Sequence, residues 1–215
     1  MLRQKIVLTA FACFSAPLWA AEAGFTTLFD GKSLEGWTLA GKTDAGYIIE
    51  DGNVVCPEKG GGNLMSNKDY ANFVLRFEFK MRAGTNNGVG IRSPLNGHVS
   101  TLGMEIQIID TSGPAYSKMK LRPEQLHGAV YDVIPARTGF LKPLGEWNEE
   151  EITANGRRIK IVLNGVIILD VDLDIVKEPE VLKKHPGLAR TTGRIGFLGH
   201  NSWIALRNIR IKELP

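Results

Sequence analysis

The chain has 215 residues, of which 43% are hydrophobic and 23% charged, with a formal charge of +3, four His and two Cys. These values fit one sizeable globular domain, exclude a disulfide-stapled scaffold, and supply no charge argument for nucleic acid. No Cys/His cluster has zinc-site spacing, and the 24 Gly and 10 Pro follow no collagen period.

Arg3 and Lys5 precede an apolar stretch over 6–18, and small residues surround Trp19-Ala20-Ala21-Glu22-Ala23. A basic start, a short apolar run and a small-residue exit predict a secretory signal peptide over 1–20, cleaved after Ala20, with Ala23 as the alternative. The apolar part is shorter than the roughly 20 residues of a transmembrane span, so the expectation is export, periplasmic or secreted, without a transmembrane segment. The exported chain has 195 residues, 24 Lys and Arg against 23 Asp and Glu, and Cys56 as its one thiol. It is nearly neutral and can form no internal disulfide.

Period-two alternation dominates the exported chain. Asp51-Gly52-Asn53 punctuates a hairpin between Tyr47-Ile48-Ile49 and Val54-Val55-Cys56. Phe73, Leu75, Phe77, Phe79 and Met81 alternate with Val74, Arg76, Glu78, Lys80 and Arg82, giving one apolar and one largely charged face. Asn155-Gly156 and Asn164-Gly165 predict type I′ hairpin turns and a three-strand meander from about Glu151 to Asp172. Trp203 to Leu214 alternates again. Short helical turns are expected near 67–71 and 176–184, and no window supports a long amphipathic helix. About a dozen short strands without a βαβ rhythm predict one antiparallel all-β sandwich or jelly-roll domain over 24–215. Its long polar segments, 94–103, 111–126 and 173–192, are candidate functional loops.

The strand Met104-Glu105-Ile106-Gln107-Ile108-Ile109-Asp110 carries the most information. With Met104, Ile106 and Ile108 facing the core, Glu105 and Gln107 share the opposite face, and Asp110 joins them only through a β-bulge. In Gly88-Val89-Gly90-Ile91-Arg92 the glycines and Arg92 share one face, where a ligand can approach the backbone and Arg92 can bind an oxyanion. His127, beside Gly128 at a loop-to-strand junction, and His200, at a strand end, are candidate acids, bases or metal ligands. His98 and His185 lie in polar loops and carry no expectation. Asp170, Asp172 and Asp174 read as a strand's acidic outer face, since the calcium-loop glycine and terminal Glu are missing. Trp37 and Trp147 are assigned to the core.

Phe25-Thr26-Thr27-Leu28-Phe29-Asp30-Gly31-Lys32-Ser33-Leu34-Glu35-Gly36-Trp37 resembles the opening of the 3-keto-disaccharide hydrolase family, also called the 3-keto-glucoside-1,2-lyase/2-hydroxy-glucal hydratase family. The segment 104–110, Gly128-Ala129-Val130-Tyr131, Gly145-Glu146-Trp147-Asn148, Asn164-Gly165 and 207–212 agree in family order. The family's Leu-Gln-Asp-His-Gly stands here as Phe197-Leu198-Gly199-His200-Asn201, keeping the histidine. The resemblance implies a concanavalin-A-like jelly roll acting on glycosides oxidised to a ketone at C3. Such a ketone acidifies the C2 hydrogen, so a base can remove it and the C1 glycosidic oxygen leaves by β-elimination. The paired carboxylates of a glycosidase are then not required.

On that basis Glu105 or His127 is expected as base, and Arg92, or a divalent cation held by Glu105 and His127 or His200, as stabiliser of the enolate. His200 or Tyr131 is the expected donor to the leaving oxygen, with Gln107, Asp110 and Gly90 binding a small sugar or oligosaccharide substrate. No organic cofactor is expected. A non-catalytic carbohydrate-binding module and a conventional sandwich glucanase are the other readings, and Gln107, in place of an acid, argues against the glucanase.

Overall fold

A computed structural model describes residues 23–42, 45–116 and 118–215. The expected signal peptide and its expected cleavage site after Ala20 therefore lie outside the described residues. Among the described residues thirteen strands run in chain order: β1 (Thr26–Thr27), β2 (Trp37–Ala40), β3 (Ile48–Glu50), β4 (Asn53–Cys56), β5 (Gly62–Tyr70), β6 (Phe73–Met81), β7 (Asn86–Ser93), β8 (Met104–Ile109), β9 (Trp147–Asn155), β10 (Arg158–Leu163), β11 (Val166–Asp172), β12 (Gly193–Gly199) and β13 (Ile204–Glu213). Two short helices, α1 (Val99–Leu102) and α2 (Pro179–Lys184), interrupt them. The strands form two antiparallel sheets. The larger has the order β11-β10-β9-β6-β13-β4-β3, with β1 also on β13, and the smaller the order β2-β5-β12-β7-β8.

The alternation predicted for 73–81 is the reason the larger sheet packs: Phe73, Leu75, Phe77, Phe79 and Met81 are all buried against the smaller sheet. Their partners across the core are Leu64, Val89, Ile91, Met104, Ile106, Ile195 and Phe197. Burying such side chains is worth ~1.5–3 kcal/mol each before entropy is counted, so this double apolar layer supplies the fold's driving force. Buried Cys56 belongs to it, and burial pushes its thiol up to about 11.

Both residues of Asp51-Gly52 and of Asn164-Gly165 have positive φ, as a type I′ turn requires. The turn between β9 and β10 differs from expectation. Its two loop residues are Gly156 and Arg157, of which Gly156 alone has positive φ, so it is a II′-like hairpin. Helix α2 falls within the segment expected to turn, but 67–70 continues β5 as an edge-exposed strand. There β5 pairs with β12 across a register shift instead of coiling. Trp37 is core, whereas Trp147 lies half-buried on the outer face of the larger sheet, between Arg207 at 4.0 Å and Lys80 at 4.7 Å.

Candidate functional site

The outer face of the smaller sheet collects most of the expected residues. Glu105 and Gln107 project from β8, opposite Gly90 and Gly88 on β7. Gly88 is required here: a Cβ at that position would stand 2.4 Å from Glu105 Oε1 and 2.9 Å from its Cγ. Glu105 thus lies down over a glycine and is 6% exposed. His200, at the end of β12, brings Nε2 to 3.7 Å from Glu105 Oε1, with its side chain half exposed. The rest of the floor is apolar. Ala40, Met65, Val99 and Leu198 form a small buried cluster, and Val99 of α1 sits over Gly90, where a Cβ would meet Val99 Cγ1 at 2.7 Å.

The segment 127–131 extends the edge of this sheet. Gly128 N–H donates to Gln107 O at 2.8 Å, Gln107 N–H to Ala129 O at 3.0 Å, and Tyr131 N–H to Glu105 O at 2.9 Å. Tyr131 Oη and Gln107 both approach Gln125, which donates from Nε2 to Tyr131 Oη at 3.4 Å and offers its carbonyl to Gln107 Nε2 at 3.5 Å. Glu105, Gln107, Tyr131, Gly90 and His200 are therefore neighbours in one place.

Three expected members are not there. Simple alternation places Arg92 on the outer face, but Gly90 and Ser93 of β7 pair with Gly196 and Arg194 of β12, so one strand has an extra residue. This bulge, with φ 48° at Arg92, turns the side chain inward, where it is fully buried. Its Nε and Nη2 donate to Ala71 O at 3.0 and 2.9 Å, and Nη1 donates to Gly156 O at 2.7 Å. The guanidinium thus ties the β5–β6 turn to the β9–β10 turn and is spent on backbone carbonyls. Burial, reinforced by the charge of Arg157, lowers its pKa.

His127 is the second. Alternation from Tyr131 and Ala129 would put it on the outer face, but Gly128 takes φ 79° and reverses the direction. His127 enters the sandwich, 5.4 Å from the Phe79 ring and with Nε2 3.4 Å from Glu150 Oε2. Asp110 stands apart at the end of β8. Its Oδ2 accepts from Gly84 N–H at 2.7 Å and Ser112 Oγ at 2.8 Å, so it closes a loop.

Three features lie beyond the sequence expectations. Glu150 faces the core, a position readable from Asn148, Glu150, Ile152 and Ala154 sharing one face of β9. The roof of α1 is anchored from below by buried His185, which donates from Nδ1 to Ser100 O at 2.8 Å. Asp132, in left-handed backbone at φ 63°, accepts from Lys184 Nζ at 2.5 Å and from Arg122. Burial alone would raise the Asp132 pKa, but the Lys184 hydrogen bond and the two cations outweigh it and hold the pKa below its ordinary value. Only spatial proximity reveals the last two.

As a metal centre the face is sparse. Glu105 and His200 offer two donors, and among the described residues no group of three His, Cys, Asp or Glu side chains is assembled. That falls short of the three protein ligands usual at a catalytic zinc.

A Bacteroides thetaiotaomicron protein named 3-keto-disaccharide hydrolase is 26% identical over 89% of this chain and 79% of its own length. A Parabacteroides distasonis crystal structure, provisionally named a glycosyl hydrolase, is 25% identical over 89% of this chain and 94% of that one, with a TM-score of 0.76. A Bacillus subtilis protein with a galectin-like fold is 12% identical over 88% of this chain and 94% of that one, at a TM-score of 0.57, a likeness of fold alone. The sandwich is thus a jelly-roll type. Residues 24–212 match the 3-keto-alpha-glucoside-1,2-lyase-like domain, and the chain belongs to that family.

Proposed function

We propose that the protein is an exported enzyme that cleaves 3-keto-glucosides, including 3-keto-disaccharides, at the outer face of the smaller sheet. The observation that carries this reading is the Glu105–His200 pair, 3.7 Å apart, with the Glu105 carboxylate lying over Gly88. Glu105 is the base. Its carboxylate removes the C2 proton, and the C2–H electron pair moves into a C2–C3 double bond as the ketone oxygen becomes an enolate. Gln107 Nε2 and Tyr131 Oη are the hydrogen-bond donors on this face for that oxygen and for ring hydroxyls, a role that buried Arg92 cannot fill. Collapse of the enolate restores the ketone, forms C1=C2 and breaks the C1–O bond. His200, at the open rim, protonates the departing oxygen, and addition of water across C1=C2 makes the net reaction a hydrolysis. A divalent cation between Glu105 and His200 would act as an electrophile for the enolate, and no step here is assigned to it.

The direct test is incubation of the purified protein with a 3-keto-disaccharide and with its unoxidised parent. Release of the aglycone from the keto compound alone is expected, and Glu105→Gln lowers the rate by about 100-fold or more, the scale of a lost general base. Binding without product from either sugar would make the domain a carbohydrate-binding module. Cleavage of the unoxidised parent would make it a conventional glycosidase.

A further inference from the structure

His127 and Glu150 are buried between the sheets, 7% and 2% exposed. One hangs from the edge of the smaller sheet and the other points in from β9 of the larger. Their closest atoms, Nε2 and Oε2, are 3.4 Å apart, and none of their four polar side-chain atoms forms a hydrogen bond with any other group among the described residues. Groups of this kind are costly to desolvate and are tolerated only as a pair. Nothing in the chemistry at Glu105 uses either side chain. His127 is, however, the first residue of the segment whose backbone supports the site, through Gly128 N–H to Gln107 O, Ala129 O from Gln107 N–H, and Tyr131 N–H to Glu105 O.

We propose that His127 and Glu150 are positioning residues. Their contact pins the 127–131 segment to β9 across the sandwich, and the segment in turn sets where β8 presents Glu105 and Gln107. The inference rests on the reading of the Glu105 face as the reactive site. It assigns no contact with substrate to either residue. Gly128 makes the arrangement specific: its left-handed φ sends His127 inward while Ala129 and Tyr131 stay in register with β8.

The test separates a coupled pair from two independent core residues. H127F keeps an aromatic ring against Phe79 and strands the Glu150 carboxylate, E150L strands the imidazole, and H127F/E150L leaves no buried polar group at either position. Amide hydrogen exchange at Gly128 and Tyr131 is measured beside that at Ile159 and Ile161 of β10, together with kcat and KM on a 3-keto-disaccharide. Each single variant is expected to speed exchange at Gly128 and Tyr131 by at least about tenfold relative to β10. Each also lowers kcat by at least about tenfold with KM changed less than about twofold, because small misplacements of a reacting group cost rate steeply. The double variant exchanges more slowly than either single one and recovers part of the lost kcat. Unchanged exchange and kcat in the single variants would overturn the proposal, and so would a double variant worse than both. If the single variants fail to fold, a folded double variant supports the coupling and an unfolded one overturns it. If the wild-type protein turns over no 3-keto-disaccharide, the reading of the site fails, while the exchange measurements still decide whether the pair pins the segment.

Discussion

The two sheets bury the same kind of side chain and expose opposite kinds of surface. Outside the larger sheet the polar residues satisfy one another from strand to strand. Arg76 Nε pairs with Glu151 at 2.7 Å, Arg207 with Glu78 at 2.7 Å, and Arg158 with both oxygens of Asp170 at 2.7 and 2.8 Å. Outside the smaller sheet, glycines and aliphatic residues fill the positions that such partners would occupy, and among the described residues Glu105 has only a loose 3.7 Å contact to a half-exposed histidine. A face whose charges are mutually neutralised has little left for a ligand. A face with a carboxylate over a glycine and no tight ion pair to it keeps its capacity for chemistry.

The contrast can be broken at several points, and the largest expected effect lies outside both faces. Arg92→Ala removes the buried guanidinium and leaves Ala71 O and Gly156 O without their donor, a loss on the order of 3 kcal/mol. Urea unfolding is expected to show a lower midpoint at unchanged m, with near wild-type turnover of a 3-keto-glucoside at temperatures where the variant is folded. Loss of turnover in a fully folded Arg92→Ala would return Arg92 to the chemistry. Gly88→Ala comes next. The added methyl displaces the Glu105 carboxylate, and turnover falls by about 100-fold while the melting temperature moves little.

Asp132→Asn weakens the hub that joins α2 to the 122–132 wall. Because the native carboxyl pKa is lowered, its stabilisation is present above the unfolded value near 3.8 and is lost as the pH falls through the lower folded value. After screening at a partly exposed site, the difference from wild type is about 1 kcal/mol at neutral pH, and it shrinks toward zero in acid below about pH 4. Thermal melts at a series of pH values measure it; a difference that grows in acid would reverse the assigned sign. Arg158→Ala on the larger sheet's outer face is expected to leave the melting temperature within error, as exposed ion pairs generally do. A clear drop there would mean that the neutralised face does more than cover the core.

Much of the architecture was legible because period two is enforced by burial. A one-residue slip at Phe73–Met81 would expose five large side chains, so the alternation could hardly mean anything but a core-facing strand. Asn164-Gly165 likewise has one good hairpin solution. The Glu105–Gln107 face followed from the same rule, and the family resemblance was carried by the motifs along 25–212. The rule failed at the places where the backbone leaves the regular pleat. The β7 bulge turned Arg92 inward, and the left-handed Gly128 did the same for His127, since each inverts a side chain without any mark in the local hydrophobic pattern.

The amino-acid order alone thus determined a sandwich of short antiparallel strands, its apolar lining and the outward placement of Glu105. Periodicity and turn chemistry are local properties that one chain states directly. Tertiary structure alone decided that His200 from β12 meets Glu105, that Arg92 spans two distant turns, and that His127 meets Glu150 between the sheets. Arg92 by itself reaches 21 residues back along the chain and 64 forward. Such meetings depend on strand order, bulges and sheet packing, which the whole fold settles at once.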